Sequence, residues 1–207
     1  MPTMTQTGRY AGLDLRIDTP PEWSVQTHRE ALTNHLVVVD TETTSLRAYP
    51  GSVTEIAWYD LRDGVGGSFI PPHTLDGADP KALEISRYHE RIAGRPVDAD
   101  QTRAFHRMLR SDGQAIIVGS NPNFDLAQLK ELFTWARMAP EPWQRRVFDP
   151  AAAAYWLYPE RELGRPTGLA AACELAGISS DGHHDAFVDV VMTAKLWHAL
   201  EALRGSK

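Results

Sequence analysis

The stretch HLVVVDTETTSL, residues 35–46, constrains the fold of this 207-residue chain more than any other segment. Leu36–Val39 are four consecutive apolar residues rich in β-branched side chains, a pattern typical of a strand covered on both faces. Asp40 and Glu42 follow at its end, and because side chains alternate along a strand, the two acids point the same way. Neighbouring carboxylates repel each other and are costly to desolvate. The pair therefore predicts a divalent cation at the end of a buried strand.

The pattern after residue 34 predicts a mixed five-stranded sheet flanked by helices, an α/β domain over residues 35–207. Predicted strands are Leu36–Asp40, Val53–Leu61, Gly64–Pro71, Ala115–Gly119 and Val147–Phe148. Predicted helices are Pro80–Ile92, Asp98–Arg110, one starting at Asn121–Pro122, Ala151–Leu157, Thr167–Ala176 and Asp185–Leu203. Residues 1–34 are polar and lack a clear periodicity, so we interpret them as an N-terminal arm or extension.

Composition limits the partners and the compartment. A formal charge of −6 and a pI near 5.7 argue against broad electrostatic binding of long duplex nucleic acid. No apolar run approaches the ~20 residues that span a bilayer, and the first residues lack the apolar core of a secretory signal. The single cysteine, Cys173, is interpreted as a small buried apolar residue. We therefore expect a cytoplasmic location without a membrane partner.

Two further acids stand in helices. Asp125 lies in the first turn of the helix after the AIIVG strand, where the helix dipole favours a carboxylate, so a simple helix-start charge is the alternative reading. Asn121 suits the N-cap of that helix and Pro122 its first position. Asp189 lies within the last helix, five residues after His184. Such a set of carboxylates favours Mg²⁺ or Mn²⁺, and no Cys/His cluster suggests zinc.

Three segments resemble the motifs of a known family, the DEDDh 3′–5′ exonucleases, or DnaQ-like proofreading-subunit group. VVDTETTSL, with Asp40 and Glu42, is similar to the first motif; NPNFDLAQL, with Asp125, is similar to the second. HHDAFVD is similar to the third, an H-x-A-x-x-D pattern met by His184 and Asp189. The segments occur in the family's order, so the resemblance implies a ribonuclease H-like fold.

Two details of the motifs differ or need a choice. The family usually has glycine where this chain has Ser45, which changes the turn after the strand but removes no ligand. His183 adjoins His184, and only His184 lies five residues before Asp189. We therefore choose His184 as the functional histidine and interpret His183 as a solvent-facing neighbour.

The resemblance implies an enzyme that removes nucleoside 5′-monophosphates from single-stranded DNA or RNA 3′ ends with two Mg²⁺ or Mn²⁺ ions. In that mechanism Asp40 bridges both ions, Glu42 and Asp189 complete the first site, and Asp125 holds the second ion through water. His184 is the general base. A polymerase is a possible partner. A catalytically silent module that binds a polymerase or nucleic acid is the alternative.

The resemblance also implies substrate contacts. Thr43, Thr44 and Leu46 should line the pocket of the terminal nucleotide, although Leu46 fits a core position equally well; Asn121 and Phe124 are weaker candidates. Family members vary over the region Pro71–Pro96, which is a candidate determinant of partner or substrate choice. Five tryptophans are interpreted as core or helix packing: Trp58, Trp135, Trp143, Trp156 and Trp197.

Overall fold

The computed structural model describes residues 35–47, 51–158 and 168–205. The predicted arm, residues 1–34, lies outside the described residues.

A five-stranded mixed sheet forms the centre of the domain. Its strands are β1 (Leu36–Thr43), β2 (Val53–Asp60), β3 (Val65–Phe69), β4 (Ile116–Val118) and β5 (Val147–Phe148). They lie in the order β3-β2-β1-β4-β5. The pairs β1/β2 and β2/β3 are antiparallel, whereas β1/β4 and β4/β5 are parallel. The predicted mixed five-stranded sheet is confirmed.

Seven α-helices are described around the sheet. They are α1 (Pro80–Ile85), α2 (Tyr88–Arg91), α3 (Ala99–Arg110), α4 (Pro122–Trp135), α5 (Pro150–Leu157), α6 (Leu169–Leu175) and α7 (Ala186–Gly205). The prediction of one helix over Pro80–Ile92 is wrong, because Arg87 takes a left-handed conformation (φ 50°) that separates α1 from α2. Capping aspartates start several of the others; the Asp98 carboxylate, for example, accepts from the Gln101 N–H at the start of α3.

Strand β1 is covered on both faces, as its run of apolar residues predicts. Val37 and Val39 contribute to a core that includes residues of α3 and α4, such as Phe105 and Phe133. Leu36 and Val38, on the other face, join a core with α7. Asp40 and Glu42 continue the alternation that begins at Leu36 and Val38, so they lie on the face that α7 covers.

A third apolar cluster joins the C-terminal helices. Ala154 of α5, Cys173 of α6 and Leu196 of α7 are all fully buried there. The interpretation of Cys173 as a buried apolar residue is confirmed. Among the described residues, none of the helices is both long and apolar enough to cross a membrane.

The five tryptophans differ in burial, and Trp197 is partly buried against the core between β1 and α7, as predicted. Trp58 and Trp143 are buried in the core between the sheet and the α3–α4 layer. Trp135 and Trp156 are 70% and 69% exposed, so the prediction of core or helix packing is wrong for these two residues. Both lie near the ends of helices α4 and α5, where the sequence pattern alone does not distinguish a buried helix face from an exposed one.

Candidate active site

The acid pair lies within β1 rather than after it. The strand continues to Thr43, three residues beyond its predicted end at Asp40. Asp40 pairs with Ala57 and Glu42 pairs with Glu55 on the antiparallel neighbour β2. Both acids are partly buried. The strand register therefore fixes the two carboxylates beside each other on the face covered by α7.

Asp125 is held against the same strand from 84 residues away. Its Oδ1 atom accepts hydrogen bonds from the backbone N–H of Thr41 (2.9 Å) and from the Thr41 hydroxyl (2.7 Å). Its side chain is only 4% exposed, so it is more than a helix-start charge facing water. These bonds hold Asp125 against the strand that carries Asp40 and Glu42.

The turn that precedes Asp125 differs from the expected cap. Pro122 is the first residue of α4, as predicted, but Asn121 is left-handed (φ 56°) and its side chain caps nothing. Its backbone N–H donates instead to the Asp149 carboxylate (3.0 Å). Gly119 lets this turn approach the sheet closely, since an added Cβ would lie 3.0 Å from the carbonyl oxygen of Val39.

Asp189 reaches the site from the first turn of α7 and is 5% exposed. Its Oδ1 atom lies 2.7 Å from Nδ1 of His183, and its Oδ2 atom accepts from the backbone N–H of His184 (3.2 Å). The interpretation of His183 as a solvent-facing neighbour is wrong, because this hydrogen bond leaves its side chain only 29% exposed. His184 is exposed and left-handed (φ 70°), and its ring stacks on that of His183 at 3.9 Å.

The carboxylates form one electrostatic cluster. Burial, followed by the charges of Asp125, Asp189 and Glu42, raises the pKa of Asp40 well above its ordinary value. Burial and nearby acids likewise raise the pKa of Glu42 to about 8. The pKa of Asp125 rises to about 7, chiefly through burial, although its hydrogen bonds from Thr41 oppose the rise. Burial is thus the main cause of all three shifts, and the charges of neighbouring acids add to it.

The two histidines are shifted in opposite directions. The hydrogen bond to Asp189 raises the pKa of His183, because it favours the protonated ring. Burial and then the neighbouring His183 lower the pKa of His184, and Asp189 opposes this only in part. Near neutral pH, the neutral form of the ring is consequently more populated in His184 than in His183.

No role in the site was predicted from the sequence for three of its charged residues. Glu55 lies opposite Glu42 and is 1% exposed, while Asp185 directly precedes α7 and is 5% exposed. The Arg91 guanidinium lies between them, with Nη2 at 2.7 Å from Glu55 and 2.8 Å from Asp185. The sequence gives a signal only for Glu55, which is the one charged residue in the mostly apolar segment VTEIAW.

The residues expected to contact substrate have different environments. Thr43 and Thr44 are buried at the end of β1, Phe124 is partly buried and Asn121 is exposed. Leu46 is 52% exposed, which excludes the core alternative for it. A cavity of about 400 Å³ opens beside Thr44, between the β1–β2 connection and α4. Gln128 and the exposed Trp135 also line it, and its volume is in the range of small-molecule sites.

The donor atoms of this site fit a hard divalent cation. Carboxylate oxygens are the ligands that Mg²⁺ and Mn²⁺ prefer, and a bound cation would offset both the burial and the mutual repulsion of the Asp40, Glu42 and Asp125 carboxylates. Within the described part of the chain, the ligand atoms of His183, His184 and Asp189 also lie within 4.8 Å of one another. The chemistry of the site is thus compatible with metal binding at the β1–α7 junction.

Comparison with known families gives this arrangement its context. The family model for exonucleases, RNase_T, matches residues 37–197, which include all four acids and both histidines. The chain belongs to the exonuclease family. The resemblance to the DnaQ-like 3′–5′ exonucleases is thereby confirmed.

The curated relatives of this exonuclease-family chain include two much longer proteins. It is 28% identical over 186 residues to the PolC-type DNA polymerase III of Lacticaseibacillus paracasei, covering 88% of the chain and 12% of that protein. It is 24% identical over 174 residues to the Clostridium perfringens PolC-type DNA polymerase III, covering 82% of the chain and 11% of the relative. The chain thus spans about one eighth of the length of these relatives.

Solved structures share the fold. E. coli exonuclease I in complex with a dA16 oligonucleotide superposes with a TM-score of 0.68 at 19% identity, over 84% of this chain and 42% of that one. The zinc-ion-bound form of the E. coli exonuclease I–ssDNA complex gives a TM-score of 0.66 at 18% identity, over 83% and 41%. The expected ribonuclease H-like fold is confirmed.

Proposed function

We propose that the chain is a 3′–5′ exonuclease that hydrolyses phosphodiester bonds at single-stranded 3′ ends and releases nucleoside 5′-monophosphates. The observation that carries this proposal is the convergence of acids from three distant segments. The Thr41–Asp125 hydrogen bonds bring the α4 acid to β1, and Asp189 of α7 raises the pKa of both Asp40 and Glu42. Residues 35–207 form the catalytic domain in this proposal, and residues 1–34 form the N-terminal extension.

The four acids would hold two Mg²⁺ or Mn²⁺ ions. Asp40 would contact both ions, with Glu42 and Asp189 on the first and Asp125 on the second. When bound, such ions neutralise the phosphate charge and make a bound water a better nucleophile. Without metal ions, the ionised carboxylates would repel the negative charge of a phosphodiester substrate.

His184 is the proposed general base. Its lowered pKa keeps the ring neutral near pH 7, so that it can accept a proton from the attacking water. His184 has a left-handed backbone and lies two residues before α7, which carries Asp189. Non-glycine residues in this conformation are uncommon and cluster at functional sites.

The cavity beside Thr44 is the proposed site for the nucleotide at the 3′ end. Thr44 lines this cavity and lies two residues beyond Glu42 in the chain. Leu46, Phe124 and Asn121 are the other proposed contacts. Both exonuclease I complexes contain single-stranded DNA, which supports a single-stranded substrate here. The polymerase III relatives support a polymerase as a possible partner.

Product analysis tests the proposal. Single-stranded DNA and RNA labelled at the 5′ end, together with dinucleotides, are incubated with the full chain and Mn²⁺. We expect a ladder that shortens one nucleotide at a time from the 3′ end, release of nucleoside 5′-monophosphates, and inhibition by EDTA. The ratio of the DNA and RNA rates assigns the substrate class.

Two carboxylate variants provide the comparison. Asp189→Asn should abolish hydrolysis, whereas Asp100→Asn should leave it unchanged, because the Asp100 side chain is 91% exposed on α3. Internal cleavage, or equal activity of the Asp189→Asn variant, would contradict the proposal. A folded chain that binds single-stranded nucleic acid without hydrolysing it would favour the catalytically silent module.

A further inference from the structure

A buried arginine joins two elements of the site. Arg91, at the end of α2, is 4% exposed, and its Nη2 atom lies 2.7 Å from Oε2 of Glu55 and 2.8 Å from Oδ2 of Asp185. Glu55 belongs to β2, and Asp185 directly precedes α7. One guanidinium nitrogen therefore links the sheet to the start of the helix that carries Asp189.

The second guanidinium nitrogen contacts backbone carbonyls. Nη1 of Arg91 donates to the carbonyl oxygen of Ser86 at 2.9 Å and lies 3.5 Å from that of His184. Ser86 is the C-cap of α1, so this contact links the arginine, at the end of α2, to the preceding helix. The longer contact reaches the left-handed residue that we propose as the general base. Arg91 thus contacts β2, the C-cap of α1 and the His184–Asp185 segment.

Each carboxylate residue that pairs with Arg91 is in turn paired with, or hydrogen-bonded to, a proposed metal ligand. Glu55 is the cross-strand partner of Glu42. The carbonyl oxygen of Asp185 accepts from the N–H of Asp189 (2.9 Å), while its Oδ1 atom accepts from the N–H of Phe187 (3.2 Å). Asp185 is therefore the cap of the first turn of α7, and whatever holds Asp185 also sets the position of that turn.

The charge of Arg91 also offsets part of the local repulsion. Arg91 is the cation that pairs with both Glu55 and Asp185, two buried acids that would otherwise lie close together without a positive charge between them. Arginine suits this place because its planar guanidinium can satisfy several acceptors at once in a fixed geometry. Lysine carries the same charge but lacks that geometry.

We propose that Arg91 is a positioning residue for hydrolysis: its guanidinium holds the His183–Asp185 segment against β2 opposite Glu42. This inference rests on the proposed function. Within the described residues the arginine neither lines the cavity beside Thr44 nor makes a hydrogen bond or ion pair with the four acids, so it acts through Glu55, Asp185 and the His184 carbonyl. It also gives a role to one residue of the region Pro71–Pro96, in which the sequence alone indicated no specific functional residue.

The first test compares Arg91→Lys with Arg103→Met. Arg103 lies on the surface of α3 and pairs with the exposed Asp100 at 2.7 Å, so it controls for loss of an arginine–carboxylate pair. We expect the Arg91→Lys variant to fold and its kcat to be about 10- to 100-fold lower than that of the wild type, with KM nearly unchanged. The Arg103→Met variant should hydrolyse at the wild-type rate. An Arg91→Lys variant with wild-type kcat would overturn the proposal.

A readout that does not depend on activity separates this inference from the proposed function. Hydrogen exchange of the amides at residues 183–189 should accelerate in Arg91→Lys, and calorimetric titration should show weaker Mn²⁺ binding than in the wild type. If the wild-type chain fails to hydrolyse nucleic acid, the proposed function is wrong. In that case, faster exchange and weaker Mn²⁺ binding in Arg91→Lys than in the wild type would still support the positioning role. Unchanged values in the variant would overturn it.

A third variant separates positioning from simple stabilisation. Glu55→Met, Arg91→Met and Asp185→Asn together remove the buried charges, and asparagine keeps the helix cap. We expect this triple variant to fold with a melting temperature near that of the wild type and a kcat as low as that of Arg91→Lys. A wild-type kcat in the triple variant would show that the charged cluster is not needed for hydrolysis and would overturn the proposal. Failure of both the triple variant and Arg91→Lys to fold would assign the cluster to stability alone and would also overturn it.

Discussion

Nδ1 of His183 lies 2.7 Å from Oδ1 of Asp189, whereas the adjacent His184 reaches the same carboxylate only through its backbone N–H at 3.2 Å. The two rings stack, yet they differ in charge preference. The hydrogen bond raises the pKa of His183, and burial together with His183 lowers that of His184. One histidine therefore holds an acid in place while the other stays neutral.

Replacing each histidine with glutamine tests this division of roles. His184→Gln should lower kcat by about 100-fold or more, since loss of a general base typically costs 10²–10⁴-fold. His183→Gln should lower kcat less and should instead raise the Mn²⁺ concentration needed for half-maximal rate, because Asp189 loses a hydrogen bond. Steady-state kinetics at several Mn²⁺ concentrations measure both effects. The opposite ranking of kcat would show that His183 is the base.

Thr41→Val tests whether Asp125 depends on its hydrogen bond from β1. Valine removes the hydroxyl that donates at 2.7 Å but keeps the backbone N–H that donates at 2.9 Å. Hydrogen bonds to charged groups contribute about 1.5–3 kcal/mol, so we expect kcat to fall by about tenfold. The buried Thr54 on β2 is the control, since its hydroxyl makes no hydrogen bond within the described residues. Equal rates for Thr41→Val and Thr54→Val would contradict the proposed role.

The acid cluster predicts an unusual pH dependence of stability in EDTA. The pKa of Glu42 is raised to about 8 and that of Asp125 to about 7, both chiefly by burial, so the folded state binds more protons than the unfolded state between their ordinary and raised values. The free energy of unfolding should therefore fall as pH rises from about 5 to 8. Urea titrations measure this slope.

Glu42→Gln is the matched variant for that experiment. It removes one of the raised carboxyls, so the decline in the free energy of unfolding with pH should become shallower. Added Mn²⁺ should stabilise the wild-type chain more at pH 8 than at pH 6, because metal ligands must be ionised. An identical slope in the wild type and Glu42→Gln would mean that Glu42 ionises normally in the fold.

Local patterns predicted the sheet because they are short-range properties of the chain. The alternation from Leu36 to Glu42 shows both that β1 is buried on two faces and that its acids share one face. The break between α1 and α2 was missed because it depends on the left-handed Arg87, a residue type that sequence rules do not place there.

The charged network around Arg91 depends on tertiary contacts. Arg91 and Glu55 are 36 residues apart, and Arg91 and His184 are 93 apart, so no spacing rule joins them. An arginine within RYHERI resembles any solvated helix residue until the fold brings two buried acids to it. The motif acids were found because they repeat a family pattern, whereas Arg91 belongs to no such pattern.

Trp135→Ala tests the cavity beside Thr44 as the substrate site. The Trp135 ring is 70% exposed and lines this cavity, and stacking of a base on an aromatic ring contributes about 1–3 kcal/mol. We expect KM for single-stranded oligonucleotides to rise by about tenfold with little change in kcat. Trp156→Ala is the control, because Trp156 is 69% exposed on α5 and does not line the cavity. Equal KM values for the two variants would place the substrate elsewhere.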